Sequence, residues 1–123
     1  MLKVYFYQNC DTSKDAIRFL KQQRVRADYI DLVERPPDIQ ELRAMLEFIG
    51  GDIKKLFNVT GRMYYSMKMK ERLPSMSDNE ALELLSQHGK LIKRPILFGL
   101  TGCVVGFREK EWLMLAIQEE MNT

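Results

Sequence analysis

The chain has 123 residues, 46% of them hydrophobic, and carries 19 lysines and arginines against 17 aspartates and glutamates. Its two cysteines, Cys10 and Cys103, and its single histidine exclude a disulfide-rich scaffold and a metal site with four Cys or His ligands. The nearly balanced charge predicts no direct nucleic-acid binding, and no segment resembles a signal peptide or membrane span. We therefore expect a cytoplasmic protein with no membrane association and no bound metal or cofactor.

The first part of the chain predicts a βαβ unit. A β-rich run at residues 3–7 is followed by a polar loop that contains Cys10 and by a helix over residues 13–23. A second strand follows at residues 27–32, and the intervening helix makes the two strands parallel. Cys10 is therefore expected in the turn between a strand and a helix.

The middle of the chain is predicted to be helical from about residue 37 to residue 89. The segments with helical spacing are 39–49, 53–57, 62–70 and 77–88. Ser77 and Glu80 form a capping-box pattern at the start of the last segment. The Met- and Tyr-rich stretch at residues 63–69 is interpreted as core packing, with a protein-binding surface as the alternative.

The end of the chain returns to β structure. Two short apolar runs, residues 95–98 and 103–106, flank a glycine-containing turn and predict a β-hairpin. A final helix over residues 108–121 follows, and its expected apolar anchors are Trp112, Met114 and Leu115. The order βαβ, helical insertion, ββα is that of an α/β thioredoxin-like fold with a mixed sheet. We expect one domain, residues 1–123, with a core formed by 1–36 and 90–123 and an insertion at 37–89.

Cys10 is the candidate catalytic nucleophile. Backbone N–H groups and the positive end of the helix dipole favour a thiolate at such a turn. Thr12 and Ser13 are both candidate N-caps that add hydroxyl and backbone donors, and Lys14 adds positive charge. The alternative is an ordinary buried cysteine, which is the interpretation that we favour for Cys103 on its strand.

The second position of a C-x-x-C pair is absent, because Ser13 stands three residues after Cys10. Cys10 therefore cannot form the short disulfide of a dithiol oxidoreductase. If Cys10 turns over, its partner thiol comes from glutathione, from another protein or from Cys103.

Arg94 and Pro95 lead into the third strand. Proline is tolerated at a first strand position because its missing N–H need not pair. Thioredoxin-like folds place a cis proline here, facing the catalytic turn, although sequence alone does not assign the isomer. In such a fold Arg94 lies next to Cys10, and its guanidinium supplies a donor fork for an oxyanion or a carboxylate. The alternative is a solvated arginine at a strand entry.

Six short motifs run in order through nearly the whole chain. They are YQNCDTS at 7–13, DLVERPP at 31–37, KLFN at 55–58, LPSMS at 73–77, LIKRPI at 91–96 and VGF at 105–107. At these spacings the chain resembles the ArsC/Spx family of thioredoxin-fold proteins. That family contains arsenate reductases coupled to glutathione and glutaredoxin, and also Spx-type transcriptional regulators.

The Cys10 turn resembles the Cys-x-Thr-Ser reductases more closely than Spx, whose sensor is typically a Cys-x-x-Cys pair. This resemblance implies that Cys10 attacks the arsenic of arsenate and that Arg94 binds its oxygens. It also implies that glutathione attacks the resulting adduct and that glutaredoxin completes the reduction. A related thiol-transfer reaction is the broader expectation.

The reductases of the family place two further arginines on the anion, and this chain differs at both positions. Asn58 and Phe107 align there, while Arg62 and Arg108 lie near in sequence but out of register. The resemblance also leaves a second hypothesis open, an Spx-like regulator that binds the RNA polymerase α subunit without catalysis.

Overall fold

The computed structural model describes residues 1–122 of the chain. Two compact units are present: Met1–Asp31 with the segment from Arg94 onward, and Leu32–Lys93. The single domain with the boundaries stated above stays a prediction. The helices and strands in chain order are β1 (Lys3–Phe6), α1 (Asp11–Gln22), β2 (Asp28–Asp31), α2 (Ile39–Phe48), α3 (Arg62–Ser66), α4 (Met69–Arg72), α5 (Asp78–Gln87), β3 (Ile96–Phe98), β4 (Cys103–Val105) and α6 (Glu109–Met121).

The first unit contains a four-stranded mixed sheet in the order β2-β1-β3-β4. β1 runs parallel to β2 and antiparallel to β3, and β3 pairs antiparallel with β4. The predicted parallel βαβ pair, the β-hairpin and the mixed sheet are therefore confirmed. The central position of β1 matters for the site, because the loop that contains Cys10 begins where β1 ends.

The core of the first unit is built around the indole of Trp112, which is fully buried. Its Nε1–H donates to the carbonyl oxygen of Gly106 at 2.8 Å, so the polar atom of the ring is satisfied. Phe107 packs edge-on against Trp112, with ring centroids 5.2 Å apart, and also contacts Phe19 of α1 at 5.6 Å. Aromatic contacts of this kind join α1 and α6 over the sheet.

The expectation for Met114 is wrong. The helical repeat of 3.6 residues places Trp112, Leu115 and Ala116 on the buried face of α6. Met114 lies on the opposite face and is 59% exposed.

A buried carboxylate on α6 holds the turn between β3 and β4. Glu119 accepts hydrogen bonds from the backbone N–H groups of Leu100 and Thr101, each at 2.8 Å, and from the Thr101 hydroxyl. A Cβ atom at Gly99 would lie 2.5 Å from this carboxyl group, so the turn approaches Glu119 through a residue without a side chain. The contact fixes the hairpin to the last helix.

The second unit, Leu32–Lys93, is helical as predicted. α2 packs against α5 through buried residues, and Arg43 of α2 donates to the Asn79 side chain at 2.6 Å. Three short 3₁₀ helices complete the unit, at Ile53–Leu56, Leu73–Ser75 and Gly89–Leu91. The capping box of Ser77 and Glu80 is present in both directions.

The helix predicted over residues 62–70 is wrong as one element. It is divided into α3 and α4 because Lys68 adopts a left-handed conformation with φ of 55°, which a continuous helix does not allow. Tyr64 and Met69 are buried, as expected for core residues. Tyr65, in contrast, is 86% exposed.

In the described part of the chain, residues 1–122, there is no helix with the length and apolar character needed to cross a bilayer.

The substitution Glu119→Gln tests the contact between α6 and the hairpin. We expect it to lower the free energy of unfolding at neutral pH by about 1–2 kcal/mol, because hydrogen bonds to a charged acceptor are lost or weakened. Urea denaturation measures this difference. Glu111→Gln, an exposed position on the same helix, is the matched control and should change it by less than about 0.5 kcal/mol.

The pH dependence of this difference has a defined sign. Partial burial raises the pKa of Glu119, but hydrogen bonds from Thr101 and Leu100 outweigh it and hold the pKa below its ordinary value of 4.5. The stabilisation is therefore present above pH 4.5 and is lost as the pH falls through the lowered pKa. An equal difference at neutral and strongly acidic pH would contradict this assignment.

Candidate functional site

Cys10 is the N-cap residue of α1, with an extended backbone (φ −118°, ψ 116°). Its N–H donates to the Tyr7 carbonyl at 3.1 Å, and its own carbonyl accepts the first helical bond from the Lys14 N–H at 3.1 Å. The expectation that Thr12 or Ser13 caps the helix is wrong, because the helix already begins at Asp11. Cys10 itself therefore occupies the N-terminal end of α1.

Ser13 is fully buried in the first turn of α1. Its hydroxyl oxygen accepts a hydrogen bond from the Tyr7 N–H at 3.2 Å, which joins the segment after β1 to the helix. The hydroxyl hydrogen remains for a second bond, and the effect of this hydroxyl on Cys10 is to lower the pKa of the thiol. One buried hydroxyl therefore serves both the backbone and the thiol.

The surroundings of Cys10 favour the thiolate. Partial burial raises the pKa of the Cys10 thiol, but the amide and hydroxyl of Ser13, the amide of Thr12 and the charge of Arg94 outweigh burial and lower it. The sulfur makes no capping hydrogen bond of standard geometry. The amides thus act on the anion as converging donors at the helix N-terminus rather than through one short bond.

Arg94 lies at the same site as Cys10 because of the pairing register between β1 and β3. Tyr5 pairs with Ile96 across β1 and β3, and continuing this register by two residues brings Tyr7 opposite Arg94. The guanidinium carbon lies 4.6 Å from the centroid of the Tyr7 ring, a cation–π contact that orients the arginine. The Arg94–Pro95 peptide bond is cis, as in the thioredoxin-like folds that the sequence resembles.

Tyr7 is a site residue that sequence reasoning missed. Its ring contacts the Arg94 guanidinium, and its hydroxyl accepts from the Asn9 side-chain amide at 3.4 Å. The feature that could have identified Tyr7 is the antiparallel pairing of β1 with β3, because that register alone places positions 7 and 94 side by side.

Cys103 lies at the other end of the sheet. It pairs with Phe98, which pairs with Lys3 at the start of β1, whereas Cys10 follows the end of that strand. Lys3 and Tyr7 are about 13 Å apart along an extended chain, and Cys103 is two strands removed from β1. This exceeds the separation of about 7 Å between Cα atoms beyond which a disulfide cannot form without backbone movement. Burial also raises the pKa of Cys103 to about 12, which keeps it protonated.

The other predicted site residues have the following positions. Lys14 is exposed in the second turn of α1, and Arg108 is exposed at the N-cap of α6. Asn58 and Arg62 belong to the Leu32–Lys93 unit, where Arg62 is the exposed first residue of α3. Within residues 1–122, no three His, Cys, Asp or Glu side chains are grouped as metal ligands.

The family model described as the ArsC family matches residues 5–115, a region that contains both Cys10 and Arg94. The chain is 39% identical over 111 residues to the uncharacterized protein YusI of Bacillus subtilis, with 90% of this chain and 94% of YusI covered. It is 26% identical over 121 residues to the regulatory protein MgsR of the same species, with 98% and 94% covered.

A solved structure of "a possible arsenate reductase" from Streptococcus mutans superposes with a TM-score of 0.82. The two sequences are 37% identical, and the match covers 88% of this chain and 92% of that chain. The predicted thioredoxin-like α/β fold is thereby confirmed.

The geometry predicts which side chains lower the pKa of Cys10. Ser13→Ala removes a hydroxyl donor, so we expect the pKa of Cys10 to rise toward the ordinary value of 9.0. Thr12→Ala is the matched control, because Thr12 acts through its amide, which alanine retains. The rate of alkylation as a function of pH, measured in a Cys103→Ser background, gives both values. Equal pKa values for the two variants would refute the role of the Ser13 hydroxyl.

Proposed function

The chain belongs to the ArsC family, and we propose that it acts as a thiol-dependent reductase in which Cys10 is the nucleophile. The observation that carries the proposal is the Cys10 thiol at the N-cap of α1, with its pKa lowered by the amides of residues 12 and 13 and by Arg94. The substrate class is arsenate or a related substrate of thiol transfer.

In the first step the Cys10 thiolate attacks the arsenic atom of arsenate. A bond forms between sulfur and arsenic, and one arsenate oxygen leaves as water after protonation. Thr12 and Ser13 offer backbone N–H groups to the remaining oxygens, and Arg94 offers its guanidinium fork. Lys14 adds a positive charge one turn into the helix. Pro95, which is buried, joins Arg94 to the first residue of β3.

In the second step a glutathione thiolate attacks the Cys10 sulfur. The sulfur–arsenic bond breaks and its electron pair stays on arsenic, so arsenic(V) becomes arsenic(III) and is released as arsenite. The sulfur–sulfur bond that forms is a mixed disulfide between Cys10 and glutathione. A glutaredoxin-like dithiol then reduces this disulfide and returns the Cys10 thiolate.

The second sulfur of this cycle is external. Ser13 occupies the position of a resolving cysteine, and Cys103 lies at the opposite end of the sheet with its pKa raised to about 12. Neither residue offers a thiolate near Cys10. Glutathione or a glutaredoxin-like protein is therefore the reductant that suits this arrangement.

Anion binding in this chain relies on few arginines. By the resemblance described above, Phe107 aligns with one of the arginines of the family's reductases. Its ring packs between Phe19 and Trp112. Arg108 follows Phe107 and lies at the exposed N-cap of α6. Secondary candidates for contact with the substrate are Arg108, Asn58 and Arg62. Arg94 carries the main role in anion binding.

The reaction can be tested by arsenate reduction in the presence of glutathione and glutaredoxin. We expect activity in the wild type, loss to the uncatalysed background in Cys10→Ser, and retention within about twofold in Cys103→Ser. Formation of a Cys10–glutathione adduct, followed by mass spectrometry, tests thiol transfer independently of arsenate. A wild type that reduces no arsenate would refute the substrate, and a Cys10 that forms no adduct at neutral pH would refute the proposed nucleophile.

The similarity to MgsR over 98% of this chain favours a second candidate, a regulator that binds RNA polymerase. This role requires no catalysis, so we expect Cys10→Ser to bind the C-terminal domain of the polymerase α subunit as well as the wild type does. A pull-down with that domain measures it. Absence of binding at micromolar concentration would count against this candidate.

A further inference from the structure

We propose that the basic face of α1 is the docking surface for a protein dithiol whose own docking face is acidic, and that this protein regenerates Cys10. The surface is defined by Lys14, Arg18 and Lys21, and we call it the α1 basic stripe. The inference rests on the proposed function, because it concerns the reduction of a disulfide at Cys10.

The stripe follows from helical geometry. Positions 14, 18 and 21 are spaced four and three residues apart, which places their side chains on one face of α1. All three are exposed. A shallow open depression of about 480 Å³ runs along this face and is lined by these three residues with Ile17 and Gln22. The stripe begins at the helix end that carries Cys10.

The charges on α1 do not cancel. The helix also carries Asp11 and Asp15, and Asp15 accepts from Arg18 at 3.3 Å. Both partners of that pair are well exposed, so solvent screens their attraction strongly. Lys21 lies over the Tyr29 ring at 5.9 Å, which orients its ammonium at the far end of the stripe. Three cations against two carboxylates leave the helix positive.

The length of the stripe favours a protein over a small thiol. Lys21 lies 11 residues beyond Cys10, about 16 Å along the helix axis. A tripeptide thiol spans only about 10 Å when fully extended, so with its central sulfur at Cys10 it does not reach Lys21. Only a larger partner contacts Cys10 and the end of the stripe together. Complementary charge then steers an acidic partner to this face.

The step that this docking serves balances as thiol–disulfide exchange. One thiolate of the dithiol attacks the Cys10 sulfur of the Cys10–glutathione disulfide and releases glutathione as a thiolate. The second thiol of the donor, as its thiolate, then attacks the donor sulfur of the new mixed disulfide and releases the Cys10 thiolate. The dithiol is oxidised to a disulfide by two electrons, and the original disulfide is reduced to two thiols.

The test is single-turnover reduction of the preformed Cys10–glutathione disulfide, which requires no knowledge of the substrate. The reductants are an acidic dithiol glutaredoxin and, separately, glutathione alone. We expect Arg18→Glu/Lys21→Glu to slow the glutaredoxin reaction by about 10-fold at low ionic strength and to change the glutathione reaction by less than about twofold. High salt should reduce the difference between the variant and the wild type.

Two further variants serve as controls. Arg18→Gln/Lys21→Gln removes the charges without creating a repulsive pair with Asp15, and should give a smaller loss of the same kind. Lys54→Gln/Lys55→Gln removes two exposed charges from the other unit and should leave both rates unchanged. A glutaredoxin with its acidic face reversed to lysine should reduce the Arg18→Glu/Lys21→Glu variant faster than it reduces the wild type.

Each outcome has a defined meaning. The docking surface would be overturned if Arg18→Glu/Lys21→Glu slowed the glutaredoxin and glutathione reactions equally, or if it did not slow the glutaredoxin reaction. An equal loss of rate in Lys54→Gln/Lys55→Gln would also overturn it. None of these results would contradict the role of Cys10 as the nucleophile. A Cys10 that forms no disulfide with glutathione would instead overturn the proposed function, and the docking surface with it.

Discussion

The hydrogen bond from the Tyr7 amide to the buried hydroxyl of Ser13 is the contact on which the site depends. It fixes the first turn of α1 against the segment that leaves β1, and so determines where Cys10 lies. Because a hydroxyl both accepts and donates, the same group stabilises the backbone and helps to lower the pKa of the Cys10 thiol. Removal of this group therefore affects the position of the thiol and its ionisation together.

The central position of β1 in the sheet brings Arg94 to the site that contains Cys10. Its parallel partner β2 requires a crossover helix, and that helix is α1, whose N-cap is Cys10. Its antiparallel partner β3 is entered through Arg94 and Pro95, so the arginine arrives at the same end of the sheet. A thiol and a cation that are 84 residues apart in the sequence thus lie at one site because both adjoin one strand. Cys103 also follows β3, but by its register it lies at the other end.

The sequence was sufficient for the order of elements, the parallel βαβ pair and the hairpin, because these follow from periodicity and turn residues. The choice of Cys10 over Cys103 as the nucleophile stays a prediction. The family resemblance supplied the expectation that Arg94 lies near Cys10. Other details depend on contacts that periodicity does not encode. The helix begins at Asp11 rather than Ser13, since the buried Ser13 hydroxyl serves Tyr7 and Cys10 instead of capping the helix. The break at Lys68 and the contact of Tyr7 with Arg94 depend on backbone conformation and strand register.

The order β2-β1-β3-β4 leaves two strands at the edges of the sheet. β4 has only three residues and is followed by Gly106, whose φ of 83° ends the extended backbone. β2 begins and ends with aspartate, so a strand added to that edge from another molecule would meet carboxylates at both ends. Short or charged edges are poor templates for strand addition. The small sheet that positions Cys10 is thereby protected against aggregation through its own edges.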